Sequence, residues 1–214
     1  MKLKLEERKV ETQIRDMMLV EQRRDEIIKA AGRVFSQKGY HQTTIRDISN
    51  ASGLTIGTIY NYVKKKEDIL YLVYNKLTSI LTKALIEKIQ PGDDPVEQLT
   101  KAVESIIQIA WEYQELIILM YQETAALDKE SLYNVLKRES DYVSLIEQIL
   151  QKGRRTGVIK NQDRMAADII VYLLAFIPLR RWNIMRKFQE AEIKSQLIRF
   201  ILQALGICDK SRKG

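Results

Sequence analysis

Residues 39–66 read GYHQTTIRDISNASGLTIGTIYNYVKKK, and this stretch decides the architecture. Its apolar residues fall at helical spacing: Ile45 and Ile48, then Ile56, Ile59 and Val63. Thr44 stands in the N-cap position of a helix over 44–50, and Asp47 three residues on can return the bond, a variant of the capping box. Gly53 ends that helix, and Thr55 caps a second one over 56–63. Two short helices joined by Ala51-Ser52-Gly53-Leu54 form the helix-turn-helix pattern.

The residue types suit one job. The second helix of such a motif enters the major groove of duplex DNA, which is about 12 Å wide and admits one helix. Its outward side chains must reach bases and phosphates, and Thr55, Thr58, Tyr60, Asn61 and Tyr62 offer hydroxyls, an amide and aromatic rings. Gly57 lets the backbone approach closely. Thr44 and the amides beside it lie at a helix N-terminus, suited to a phosphate, and Arg46 follows on the first turn. Lys64, Lys65 and Lys66 come after the second helix, where they meet flanking backbone. At least one of Tyr60 and Tyr62 is expected on phosphate. Ile45, Ile48, Ile59 and Val63 read as core, Tyr40 as packing, and His41 as a surface residue.

The rest of the chain is helical by the same criteria. A strong amphipathic helix over 23–38 presents Ile27, Ala30, Ala31, Val34 and Phe35 on one face, with Gly39 ending it and Gly32 in its middle. Residues 1–21 carry only a weak apolar stripe. A long helix is predicted over 66–90, broken by Pro91-Gly92-Asp93-Asp94-Pro95. There Asp94 caps a helix running to about Tyr113, with Pro95 at its first position and Glu97 completing a box. Residues 116–127 are nearly all apolar and read as buried on most sides. Asp128 caps a long helix ending at Gly153 or Gly157. Residues 164–187 form another helix, apolar over most of its circumference from 169 to 179, with a kink expected at Pro178. The last helix, 190–205, stops at Gly206. The sum is an all-α chain of about nine helices.

Composition narrows the chemistry. One Cys and one His exclude an internal disulfide framework and argue against a Cys/His zinc site, so no metal and no cofactor are expected. No apolar run reaches the roughly 18–20 residues that span a bilayer, and the first residues lack a signal core. The expectation is a soluble, cytoplasmic protein without a membrane partner. Net charge is +7, and residues 1–66 hold 14 Lys/Arg against 8 Asp/Glu while 67–214 hold 21 against 20. A basic head on a near-neutral body points to a polyanion partner.

The run 27–70, IIKAAGRVFSQKGYHQTTIRDISNASGLTIGTIYNYVKKKEDIL, resembles the DNA-binding domain of the TetR family of bacterial transcriptional regulators. The likeness rests on Gly39-Tyr40, Thr44, Gly53, Gly57, Ile59-Tyr60, Tyr62 and Lys66-Glu67. It implies DNA contacts at Thr44, Arg46, Gly57, Thr58, Tyr60, Tyr62 and Lys66. It also implies an N-terminal extension (1–21), a helix-turn-helix domain (22–68) and a helical ligand-binding and dimerisation domain (69–214). A homodimer would place two reading helices about 34–36 Å apart on a pseudo-palindromic double-stranded operator. The expected function is a repressor released by a small apolar or amphipathic effector.

Helices over 99–113, 116–127, 132–150 and 165–182 are candidates to surround that effector, with Trp111, Tyr113, Met120, Tyr121, Glu123, Tyr142, Phe176, Arg181 and Trp182 as lining residues. Gln122-Glu123-Thr124 together with Leu179-Arg180-Arg181-Trp182 is similar to fatty-acid regulators that sense acyl-CoA. On that likeness the effector is an acyl-CoA or fatty acid, and Arg154, Arg155, Arg180 and Arg181 are candidates for its phosphates. Two other classes compete. An enzyme is disfavoured by the single His, the single Cys and the lack of a Gly-rich phosphate loop, since GRRTG at 153–157 lacks P-loop spacing. A helical lipid carrier without DNA would show no salt-dependent duplex binding.

Overall fold

A computed structural model describes residues 8–89, 92–161 and 164–207. Among them are nine α-helices, one 3-10 turn (Thr124–Ala126) and no strand. The helices are α1 (Met17–Lys38), α2 (Ile45–Ser52), α3 (Ile56–Tyr60), α4 (Lys66–Lys88), α5 (Pro95–Glu112), α6 (Gln114–Glu123), α7 (Lys129–Arg155), α8 (Ala166–Ile184) and α9 (Glu190–Ala204).

Local chemistry explains where these helices begin and end. α1 starts six residues before the predicted point, because Asp16 Oδ1 accepts from the amides of Met18 (3.0 Å) and Leu19 (3.2 Å). α3 is shorter than expected. Asn61 and Tyr62 close back with tight bonds, Asn61 N–H to Thr58 O and Tyr62 N–H to Ile59 O, and leave the helix at Tyr60. Asp94 caps α5, but Glu97 does not close the box and turns to Lys101 at 2.8 Å. α7 runs through Gly153 and stops before Gly157, which takes φ +75°. A Cβ on Gly153 would lie 2.5 Å from Ile159 Cδ1 and 3.3 Å from Pro95 Cβ, so that glycine admits close packing and is not a stop. The predicted end of α4 at Gln90 lies outside the described residues.

The chain folds as two compact units that do not follow sequence order. Of the described residues, one takes 8–78 together with Glu115–Arg138, and the other takes those within 79–114 and 139–207. The first unit centres on Ile27, Phe35, Ile48, Ile59, Val63, Leu70, Tyr71 and Tyr74, with Leu119, Leu127 and Val135 joining them. That is why α6 and the start of α7 belong to it. Tyr74 Oη donates to Met120 O at 2.8 Å. Gly32 lets α6 come close, since a Cβ there would lie 2.7 Å from Leu116 Cδ2. The 116–127 stretch is less buried than its composition suggests. Ile117, Leu119 and Leu127 are buried, while Tyr121 is exposed. α6 offers one stripe to the core and leaves the rest half-open.

In the second unit α5 packs against α8 and α9. Leu99, Val103 and Ile107 of α5, Ile146 and Leu150 of α7, Ile170 and Ile177 of α8 and Ile201 of α9 are buried there. α8 is not buried all round: Ile169, Tyr172, Phe176 and Leu179 are exposed. α4 is the one described helix long and apolar enough to cross a bilayer, and half of that window is buried within the protein.

Candidate nucleic-acid interface

The helix-turn-helix is assembled from local bonds. Thr44 Oγ1 accepts from Asp47 N–H (3.2 Å), while Asp47 Oδ2 accepts from Thr44 N–H (2.9 Å) and from the Thr44 hydroxyl (2.8 Å), so the box predicted at α2 is closed. Lys38 Nζ adds a bond of 2.5 Å to Asp47 Oδ1. These contacts, the lysine first and Thr44 next, hold the Asp47 carboxyl far below its ordinary pKa. Gly53 takes φ +72°, the left-handed turn, and its N–H donates to Ser49 O. Ser49 Oγ donates to Leu54 O at 2.6 Å and pins the turn. Thr55 then caps α3, accepting from Thr58 N–H at 3.1 Å, and the two hydroxyls share a 2.8 Å bond.

Ile48, Ile59 and Val63 are wholly buried and fix which way α3 faces. On its outer side Gly57 and Tyr60 are exposed and Thr58 is half-buried, with Tyr60 at 46%. Thr44, Arg46, Thr55, Lys64 and Lys65 are exposed beside them. Asn61 is half-buried. This is one surface of hydroxyl, aromatic and basic groups around a short protruding helix.

Two expected contacts sit elsewhere. Tyr62 is only 4% exposed and belongs to the core, because the chain turns inward after Tyr60. Lys66 Nζ points under the preceding loop, donating to the carbonyls of Tyr40 (2.8 Å), Thr43 (3.0 Å) and His41 (3.3 Å) and lying 4.3 Å from the Tyr40 ring centroid. Its three protons are used within the head. Tyr40 is buried, as its packing role predicts, and His41 is exposed.

The expected effector residues are divided between the two compact units. Met120, Tyr121 and Glu123 fall in the first unit, and Trp111, Tyr113, Tyr142, Phe176, Arg181 and Trp182 in the second. Glu123 pairs with His41 Nε2 at 3.1 Å, and Met120 packs on the head's core. Tyr142 is buried, while Phe176 and Trp182 are exposed. Tyr113 ends α5 half-buried, and burial raises its phenol pKa. Trp111 keeps a buried Nε1 without a hydrogen-bond partner. Arg181 donates to Gln114 Oε1 at 3.0 Å, and Arg180 lies 5.7 Å over the Trp182 ring. A cleft of about 1030 Å³ opens instead between the start of α5, the 157–160 loop and α9, lined by Val96, Thr100, Glu104, Ser195, Ile198 and Arg199 among others. It contains none of the expected lining residues, and no local sequence pattern marks it.

Comparison with known proteins agrees with this architecture. Residues 27–71 match the family model of bacterial regulatory proteins of the tetR family, and residues 92–205 match the tetracyclin repressor-like C-terminal domain. The HTH-type transcriptional regulator HbdR of Aromatoleum sp. (strain CIB) is 28% identical over 185 residues, covering 86% of this chain and 80% of its own. A regulatory protein in the tetR family from Rhodococcus RHA1 superposes with a TM-score of 0.80 at 21% identity, covering 87% of this chain and 98% of that one. AibR in complex with isovaleryl coenzyme A and operator DNA superposes at 0.72 with 20% identity, covering 83% and 97%. With its head and more than half of its length matched in this way, the chain belongs to the tetR family of helix-turn-helix transcriptional regulators.

Proposed function

We propose that the chain is a homodimeric repressor. In this reading Thr44, Arg46, Thr55, Gly57, Thr58, Tyr60 and Lys64 form the operator-facing surface, with Lys65 beside them. A small amphipathic effector, an acyl-CoA by class, lowers operator affinity. The observation that carries the reading is the geometry of α3: Ile59 on its inner side and Val63 in the turn that follows are locked into the core, while Tyr60 stands out on the other side. A protruding ring with a hydroxyl reaches a phosphate or a base edge. Tyr62 and Lys66 are left out of the contact set, because the head already uses them.

Pairing of two chains is supported by the exposed row Ile169, Tyr172, Phe176 and Leu179 on α8, together with exposed Phe200 on α9. An acyl-CoA is supported by AibR, which was solved with isovaleryl coenzyme A. On this chain it is supported by the exposed Arg180 and Arg181 next to Trp182. The relatives regulate transcription, and we read this chain as a binding protein of the cytoplasm with no turnover of its own. Ligand would act by favouring a conformation whose two heads no longer match the operator.

Selection of a duplex from a random pool, followed by titration of that duplex, tests the reading. Tyr60→Ala should weaken binding about tenfold or more with the melting temperature unchanged. Palmitoyl-CoA should release the duplex, and free coenzyme A should not. A wild-type protein that selects no duplex would refute the DNA reading, and indifference to palmitoyl-CoA would refute the effector class.

A further inference from the structure

Residues 8–16 precede the family match at residue 27, yet they are fastened at both ends. At the first end is Arg8. Its guanidinium donates to Asp68 Oδ1 at 2.5 Å, lies 3.8 Å from Asp128 Oδ2 and stands 4.6 Å over the Tyr71 ring. Its backbone N–H donates to Asn134 Oδ1 (3.2 Å), and Tyr71 Oη donates to its carbonyl (3.2 Å). These partners belong to α4, to the head of α7 and to the residue that caps α7. The other oxygen of Asp68 accepts from the amides of Lys64 (2.9 Å) and Lys65 (3.1 Å), so one buried carboxylate holds both Arg8 and the turn between α3 and α4.

At the second end the strap meets the turn that leaves the reading helix. The Thr12 hydroxyl donates to Asn61 O at 2.8 Å, and Gln13 N–H donates to the same oxygen at 3.1 Å. Ile14 N–H donates back to Thr12 Oγ1 at 3.2 Å. Arg24 of α1 joins the two segments. It donates to Val10 O (2.6 Å) in the strap and twice to Tyr62 O (3.2 and 3.0 Å) in the turn. Val10 is itself part of the buried core. The last-turn carbonyls Thr58 O and Ile59 O are taken by the amides of residues 61–63, so the carbonyls left to be met just past the helix are those of Asn61 and Tyr62, and the strap and Arg24 donate to them.

A helix of five residues cannot hold its own position, because helices this short are marginal without tertiary support. The placement of α3 therefore depends on what grips its ends. We propose that residues 8–16 act as a positioning strap for the reading helix, with Thr12 and Arg8 as positioning residues that set how well α3 fits its operator. Base-edge hydrogen bonds tolerate only a few tenths of an ångström around roughly 2.7–3.2 Å. Attraction to phosphate charge decays over about 10 Å. A loosened α3 thus loses sequence-specific binding and keeps non-specific binding. That asymmetry separates positioning from direct contact and from unfolding.

The inference rests on α3 being the reading helix, and the experiment distinguishes the two failures. Full-length wild type, Thr12→Val, Thr12→Ser, Arg8→Gln and Tyr60→Ala are titrated with the duplex that wild type selects from a random pool. They are also titrated with a random-sequence duplex of the same length. Tyr60→Ala with unchanged affinity for the selected duplex would remove α3 as the reader and the foundation with it. With α3 upheld, Thr12→Val is expected to weaken binding to the selected duplex about fivefold to tenfold, the scale of one hydrogen bond. On the random duplex its affinity should move less than twofold. Thr12→Ser should restore the ratio, and Arg8→Gln should move it in the same direction as Thr12→Val. An unchanged ratio, an equal loss on both duplexes, or a Thr12→Val protein without a cooperative melt would each overturn the strap as a positioning device.

Discussion

Lys66 follows the reading helix within a run of three lysines, a placement that invites a phosphate assignment. Its Nζ nevertheless faces three carbonyls and an aromatic ring of the head. Those carbonyls come from 23 to 26 residues upstream, and no local pattern announces their convergence. Lys66→Met should lower stability by about 2–3 kcal/mol, the scale of hydrogen bonds to a charged group. It should leave the slope of log affinity against log salt unchanged for the protein that remains folded. Lys64 behaves in the opposite way. It is exposed and pairs only at the surface with Glu11, a contact of little worth to stability. Lys64→Gln removes one phosphate contact of the operator-facing surface. The salt slope should then become shallower by just under one, with no change in melting temperature. An unaltered slope would place Lys64 away from the backbone of the duplex.

Elements closed by bonds three or four residues apart are the ones the sequence makes readable. The box of Thr44 and Asp47, the turn at Gly53 and the cap at Thr55 follow from residue types at fixed spacing, and the structure has all three. The turn that leaves α3 is not readable in this way, because the Asn61 carbonyl is met by residues 12 and 13, some fifty positions away. Asp128 shows a readable cap with a measurable consequence. Its Oδ1 accepts from the Ser131 hydroxyl (2.6 Å) and the Ser131 amide (2.8 Å) at the start of α7. Those bonds, with Lys65 and Arg8 contributing less, lower its pKa to about 2 from 3.8. A carboxyl depressed in the folded state stabilises it fully above the unfolded value and loses that effect as pH falls through the folded value. Asp128→Asn keeps a capping oxygen but loses the charge, and should therefore cost up to about 1 kcal/mol at neutral pH, the worth of a negative charge at a helix N-terminus. The gap to wild type should begin to close below about pH 4, keep closing through pH 2 and vanish about a pH unit lower. A gap that stays constant down to pH 3 would show that the carboxylate charge contributes nothing to the cap.

At the scale of the whole molecule, the run 169–179 shows how far one chain's sequence reaches. Its composition reads as a helix apolar over most of its circumference. Within a single chain α8 buries Ile170, Val171, Ala175 and Ile177 but exposes Ile169, Tyr172, Phe176 and Leu179, a row spaced three, four and three apart. Hydrophobicity alone does not say whether a face belongs to a chain's own core or to a second copy. Spacing, together with exposure in the fold, does. We propose this row as the seam of a helical pair, with Phe200 extending it, since α9 lines the same crevice as Ile169. Phe176 stands in the middle at 44% exposure, so an aspartate there would bury an unpaired charge in the paired state and cost nothing in the single chain. Wild type should elute at twice the chain mass, and Phe176→Asp at the chain mass with its helicity and melt retained. Because two linked heads gain roughly a hundredfold or more over one, the variant should bind the selected duplex at least that much more weakly. Its binding to a duplex carrying one half-site should match that of wild type on the same half-site. A variant that remains dimeric would move the interface off this row. A monomer that holds the full site as tightly as wild type would show that each head reads its DNA alone.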